Sequence, residues 1–377
     1  MISAVVETNS MAFPANYDLA RVPASLPERN QERFFSRYDF TSIFYDIFEE
    51  NGRLMCVGPP LMNLSAKLGA ASVKLDGRLP EERIALKWDE MDRATRTVLS
   101  MPEGAADGWC PTNISLSWDD LELTAPVGRN YAELFRGKHV LCTQNRNNPL
   151  TNISDWVNLN VHANEIDAVL IFDNRSDQYS IDDLVATLEQ CSGIDVAVVV
   201  NWPHPFGVLT RKWDADFGQY SAWEVARWRF AKYASSLLLC DVDELLLSEA
   251  GRPVHVHASQ SESGVCYFPT RNIEPVQLVD QPEPELRRHA DYGYYLDRRW
   301  SEPKYAVIPS RLSERQQLKV HAVTYAPSDG SRLGFVRHFR ALHLGWREGK
   351  LGYSHALRSA FEDLETDTTL LRVFESL

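Results

Sequence analysis

A chain of 377 residues, 44% hydrophobic and 24% charged, has material for two domains or for one large domain with additions. Its formal charge of -13, from 52 acidic against 39 basic residues, argues against a nucleic-acid partner, which needs a basic footprint. No stretch approaches the roughly 20 apolar residues of a membrane span. Met1 to Ala20 lack the basic start and apolar core of a signal peptide, so no transmembrane segment is expected, although peripheral membrane association is compatible with the composition. Six scattered cysteines without a C-x-x-C pair suit a reduced, cytoplasmic protein, with Cys142 and Cys240 expected as buried thiols. The N-x-S triplets at Asn63, Asn113 and Asn152 then read as chance matches.

Residues 1–30 carry Pro14, Pro23 and Pro27 and little periodicity, and read as irregular. To about residue 135, hairpin signals outnumber helical ones. Ile43 to Phe48 is β-prone, Asn51-Gly52 is a strong two-residue turn, and Leu54 to Val57 is apolar again. Ile114, Leu116 and Trp118 alternate with polar residues, as do Leu121 and Leu123 after Asp119-Asp120. Residues 1–135 therefore read as a β-rich accessory domain, with Glu81 to Leu99 ambiguous.

From residue 136 the pattern changes. His139 to Cys142, Ala168 to Phe172, Val196 to Val200 and Ser236 to Leu239 are short apolar runs of the kind a strand buried on both faces requires. Between them lie helical stretches: Ser154 to Ala163; a segment after Ser180, an N-cap with Asp182 and Asp183 in its first turn and Leu184 and Leu188 on one face; and Tyr220, Trp223, Ala226, Phe230 and Ala234 at helical spacing. Alternation of this kind predicts an α/β domain over 136–345, a mostly parallel sheet with helices on both faces, whose strands end in polar residues along one edge. The absence of G-x-x-x-x-G-K-[ST] and G-x-G-x-x-G disfavours P-loop and Rossmann cofactor chemistry. Residues 346–377 read as closing helices with Leu357, Phe361, Leu364 and Leu371 apolar.

The fourth run stops at Asp241-Val242-Asp243-Glu244, three carboxylates in four residues. Asp241 and Asp243, one residue apart, can offer oxygen ligands to one divalent cation at the carboxyl edge, where open α/β sheets bind ligands. The alternative is an acidic turn after a core strand. Further on, Tyr292, Tyr294, Tyr295 and Trp300 are either core or a stacking surface for sugar rings. Lys304, Arg311, His321, Arg337, His338, Arg340 and His343 form a basic stretch, either a solvated face or a phosphate site.

Residues 139–345 resemble the nucleotide-sugar glycosyltransferases of the glycosyltransferase-A fold, in particular those of family 92 and related bacterial family 2-like enzymes. The matching residues are Arg146-Asn147, Trp156, Phe172 to Asp177, Gln219-Tyr220, Asp241 to Glu244, and then Lys304, His321 and His338 in order. The chain departs from the family's Arg-Asn-Glu with Arg146-Asn147-Asn148. The resemblance implies a metal-dependent inverting transferase that moves a sugar from a nucleotide-diphosphate sugar to a glycan acceptor, as in bacterial surface-polysaccharide synthesis, with Mn2+ or Mg2+ as cofactor. It implies that Gln144, Asn145, Arg146, Asp173, Asn174 and Asp241 line the nucleotide pocket, and that Asp241, Asp243, His321 and His338 are metal ligands. Lys304 would stabilise the leaving diphosphate, and Glu274 or Asp291 would take the acceptor proton. Two alternatives compete: a nucleotidyltransferase, which would need a glycine-rich first loop where Thr143 to Pro149 has no glycine, and a noncatalytic carbohydrate-binding or assembly protein.

Overall fold

The computed structural model describes residues 1–29, 31–79, 84–100, 109–208, 214–278, 285–327, 333–344, 356, 358 and 361–377, with backbone alone at 298–301. Leu357, the Trp300 side chain and residues 81–83 of the ambiguous stretch lie outside the described residues.

A ten-stranded sheet organises the chain. Its strands, numbered in chain order, are β1 (Ile2–Glu7), β2 (His139–Asn145), β3 (Ala168–Asp173), β4 (Val196–Asn201), β5 (Ser236–Leu239), β6 (Glu244–Ser248), β7 (Val265–Ile273), β8 (Tyr294–Val307), β9 (Gly334–Phe339) and β10 (Glu365–Thr366). They lie in the order β1-β4-β3-β2-β5-β8-β7-β9-β6, and β10 pairs with β8. From β1 to β5 every pairing is parallel, as the apolar runs require. The other half is mostly antiparallel: β8 runs against β5, β7 and β10, β6 runs against β9, and only β7 and β9 are parallel. The predicted mixed α/β architecture with a large, mostly parallel sheet is therefore present.

Side-chain alternation decides which core each strand serves. Ala168, Leu170 and Phe172 of β3 enter one core, Val169 and Ile171 the other. Helices α1 (Leu150–Asn164) and α2 (Ile181–Glu189) cover the second face through Ile153, Trp156, Leu184 and Leu188. Ser180 caps α2 in a reciprocal capping box with Asp183, as its position predicted. Helix α3 (Phe217–Val225), continued by a π-helical turn (Ala226–Phe230), lies on the first face and is buried along its whole length. It has no solvent side because strands of the first 135 residues pack over it.

Besides a two-stranded pair of Met11–Ala12 with Ser42–Phe44, those strands form two larger antiparallel sheets, and all three share one core. Asp46–Glu50, Arg53–Gly58, Thr95–Ser100 and Lys87–Glu90 make one, and Ser72–Leu75, Asn113–Ser117 and Glu122–Pro126 the other. Asn51 and Gly52 both take positive φ between Glu50 and Arg53, the two-residue turn that Asn-Gly announces. Two features differ from a separate accessory domain. Ile2–Glu7, read as irregular, is an edge strand of the large sheet, paired from Ile2↔Val196 to Glu7↔Asn201. In addition, Tyr45, Phe48, Met55 and Val57 share a core with β2 to β5, and the buried Arg229–Asp46 ion pair, 2.7 Å, ties α3's extension to the small sheet. At the far end, the described part of 346–377 holds one helix, α5 (Thr368–Glu375), with a short helix α4 (Val254–Gln260) earlier in the chain. Phe361 and Leu364 lie outside helix. Among the described residues, no helix is long and apolar enough to cross a membrane. All six cysteines are free, and Cys142 and Cys240 are buried as expected.

Candidate functional site

β4-β3-β2-β5 is an open parallel arrangement in which the chain order reverses between β2 and β5, and such switch points open a crevice at the carboxyl edge. Beyond β5 the chain turns tightly, Glu244 N donating to Asp241 O at 2.9 Å, and re-enters the sheet as β6. Antiparallel pairing of β6 with β9 sets Glu244 opposite His338, and Phe339 N donates to Asp243 O at 2.7 Å. That register carries His338 and the following His343 to Asp243. His338 Nε2 lies 3.5 Å and His343 Nδ1 3.0 Å from Asp243 Oδ2. One ligand atom from each of the three falls within 4.8 Å of the others, a spacing that one metal ion can span. Parallel pairing of β9 with β7 puts Asn272 beside His338, and His338 Nδ1 donates to Asn272 Oδ1 at 3.0 Å. The amide thereby orients the ring and leaves Nε2 facing the carboxylate, the second support that metal-bound imidazoles usually have.

Burial raises Asp243's proton affinity, but the hydrogen bonds and charges of His338 and His343 outweigh it and hold the carboxyl well below the usual range. Burial works against a charged His338, and Asp243's hydrogen bond and charge reverse that, raising its pKa. Asp241 takes a different partner. Lys304, on β8 just past its pairing with β5, places Nζ 2.7 Å from Asp241 Oδ2 and 3.1 Å from Glu244 Oε2. Burial alone would lower the pKa of this amine, but the two carboxylates raise it above its ordinary value. Glu244 Oε2 also accepts from Asp241 N at 3.1 Å, closing the turn.

The loops after β2 and β3 are stitched together. Asp173 accepts from Asn145 Nδ2 at 2.8 Å and from Ser176 Oγ at 2.6 Å, while Asn147 and Asp177 bond each other through side chain and backbone. Asn148 donates to Asn145 Oδ1 at 2.9 Å. Asn174 is buried and donates to the Trp202 and His204 carbonyls, so it fixes the loop instead of facing a ligand. Gln144 is 8% exposed, and both its side-chain polar atoms are buried without a hydrogen-bond partner. The half-buried Arg146 guanidinium is close enough to repel that of Arg37, whose pKa is lowered first by burial and then by Arg33 and Arg146.

Several expected roles are not met. His321 stays outside the Asp243 group, its Nδ1 donating to Pro303 O at 3.0 Å, and His343 stands in its place. Asp241 is held by Lys304 and is not one of the three clustered ligands. Glu274 is 1% exposed and bound to Arg340 Nη1 at 2.9 Å and 3.2 Å, which leaves it poorly placed to take a proton. Asp291 accepts from Arg288 N at 2.7 Å and is not among the three clustered ligands. Much of the basic stretch is committed to partners within the chain. Arg337 is fully buried between Asp367 and Glu249, Arg340 pairs with Glu274, and Arg311 binds the Ser259 and Ser261 carbonyls. Tyr292, Tyr294 and Tyr295 are buried in the core. His343 appears in the sequence as one more basic residue; no local signal separates it from His321, because pairing of β6 with β9 selects it.

No family model matches the chain, and no curated protein matches it.

Proposed function

We propose that this chain is a metal-dependent inverting glycosyltransferase acting on a nucleotide-diphosphate sugar and a glycan acceptor. The reading is supported chiefly by one observation: Asp243, His338 and His343 gather at the switch point of the sheet, one turn from an Asp241–Lys304 pair. One carboxylate and two imidazoles, with Asn272 orienting one ring, suit a borderline divalent ion such as Mn2+ better than Mg2+, which prefers oxygen ligands throughout. Asp243, His338 and His343 would hold that ion, which when bound supplies positive charge to a leaving diphosphate.

The chain's own groups define the rest. Lys304, kept cationic between Asp241 and Glu244, fixes the turn that presents Asp243. Arg146, half-buried just past the end of β2, would meet the nucleotide, while Asn145 and Asp173 rigidify the loop carrying it. Glu274, held by Arg340, is not proposed as the general base.

The test is a thermal-shift screen of nucleoside diphosphates with and without Mn2+, followed by assay of nucleotide-sugar hydrolysis. Stabilisation that needs both components, abolished in Asp243→Ala, supports the reading. Metal-independent stabilisation, or hydrolysis undiminished in Asp243→Ala, overturns it.

A further inference from the structure

Asp243 and His338 belong to different segments, and the β6–β9 ladder ends beside them, with Glu244↔His338 as its terminal pair. Asp243 lies one residue outside that ladder, and His343 follows the short 3-10 turn Arg340–Leu342. A hydrogen bond from Phe339 N to Asp243 O, 2.7 Å, is one tie between the segments. His289 supplies another. Its Nε2 donates to the Val242 carbonyl at 2.8 Å, and its ring meets the Phe339 ring edge-on, centroids 4.9 Å apart at 79°. One imidazole thus touches the chain neighbours of two clustered side chains, Val242 next to Asp243 and Phe339 next to His338.

The ring is itself held in place. His289 and Phe339 are both buried in the core, so neither ring moves without opening it. His289 begins a single 3-10 turn (His289–Asp291), whose Asp291 carboxylate accepts from Arg288 N at 2.7 Å. Leu278 N donates to Asp291 O at 2.8 Å, and Arg288 grips Asp155 of α1 through two guanidinium nitrogens. The turn bearing Asp241 and Asp243 is therefore braced from α1 through Arg288 and His289. A carbonyl only accepts, so Nε2 carries the proton. An apolar side chain at 289 would fill the volume but leave the Val242 carbonyl without this donor.

We propose that His289 is a positioning residue of the metal site: it fixes the Val242 carbonyl and the Phe339 ring so that Asp243 and His338 reach one ion together. The inference rests on the reading of Asp243, His338 and His343 as metal ligands, and His289 is not itself one of the clustered three. Ligands held in place before an ion arrives lose less freedom when it binds, so a loosened turn lowers affinity.

The experiment titrates Mn2+ into the full-length chain and three variants, His289→Gln, His289→Asn and His289→Leu, followed by the free-ion electron paramagnetic resonance signal. Glutamine sets its amide nitrogen near the place of Nε2 and keeps a donor for Val242; asparagine sets its own near Nδ1 and falls short; leucine fills the space without a donor. His289→Gln should bind within about threefold of the wild type, while His289→Asn and His289→Leu weaken binding by about tenfold or more. Melting of the metal-free proteins reports packing losses separately, and if His289→Leu does not fold, the contrast between His289→Gln and His289→Asn decides. Wild-type affinity in His289→Asn, or an equal loss in His289→Gln, overturns the proposal and leaves the metal reading intact. No Mn2+ binding by the wild type overturns that reading and this inference with it.

Discussion

Replacing Lys304 with methionine tests whether charge compensation builds the carboxylate turn. The Lys304 side chain is 4% exposed, that of Glu244 8% and that of Asp241 32%. Methionine retains the packed stem and removes only the ammonium. Losing one partner of a buried ion pair costs about 3–5 kcal/mol, because the remaining charge is left without compensation. Asp241 reaches solvent, which screens its share, so the expected loss lies near the low end, about 3 kcal/mol. Glu244 carries most of it, since burial already raises its pKa and Lys304 is the largest charge opposing that rise, ahead of His338. Chemical denaturation of the wild type, Lys304→Met, Glu244→Gln and the double variant closes the cycle. The double variant should recover more than half of the loss, because the glutamine still accepts from Asp241 N without burying a charge. If the double variant is as unstable as the two losses summed, Lys304 acts through packing and the electrostatic reasoning fails.

Three groups elsewhere make comparable predictions. Asp367 caps α5 through Leu370 N at 2.9 Å and pairs with both Arg271 and Arg337, so Asp367→Ala should cost about 3–5 kcal/mol in equilibrium unfolding; a loss under about 1 kcal/mol would show the two arginines to be compensated otherwise. Burial is the main cause lowering His204 from 6.5 to about 3, with Arg175 adding to it and Asp39 opposing, while the ring stacks on Tyr45 at 4.3 Å. A depressed histidine must gain a proton on unfolding, so its contribution is complete above pH 6.5 and drains away as pH falls toward 3. His204→Gln should therefore show a shallower loss of stability across that window than the wild type, by of order 3–5 kcal/mol in total; parallel pH profiles would refute it. Ser180→Ala removes one arm of the α2 capping box and should cost about 1 kcal/mol by the same measurement.

What could be read from sequence was what neighbouring residues decide. The apolar runs of β2 to β5, the Ser180 cap and the Asn51-Gly52 turn each rest on a few adjacent side chains, and each is found where expected. Pairings over long separations could not be read. Ile2–Glu7 is short and has no turn signal to mark it, and only its partner, nearly two hundred residues on, makes it a strand. The same holds at the site. Asp243 and His338 were legible as ligand types, but choosing between His321 and His343 depends on β6 lying beside β9. Carboxylates carry no mark of their partners either: Glu274 resembles a free base until Arg340 is found against it, and Arg337 resembles a surface cation until Asp367 is.

The central claim is that Asp243, His338 and His343 form one metal site. Titration of Mn2+ into the metal-free chain, followed by loss of the free-ion electron paramagnetic resonance signal, tests it directly. The wild type and His321→Ala should bind one ion with equal affinity, while Asp243→Ala and His343→Ala should weaken binding by about 10- to 100-fold or more. Equal binding by His343→Ala, or loss of binding in His321→Ala alone, would contradict the account.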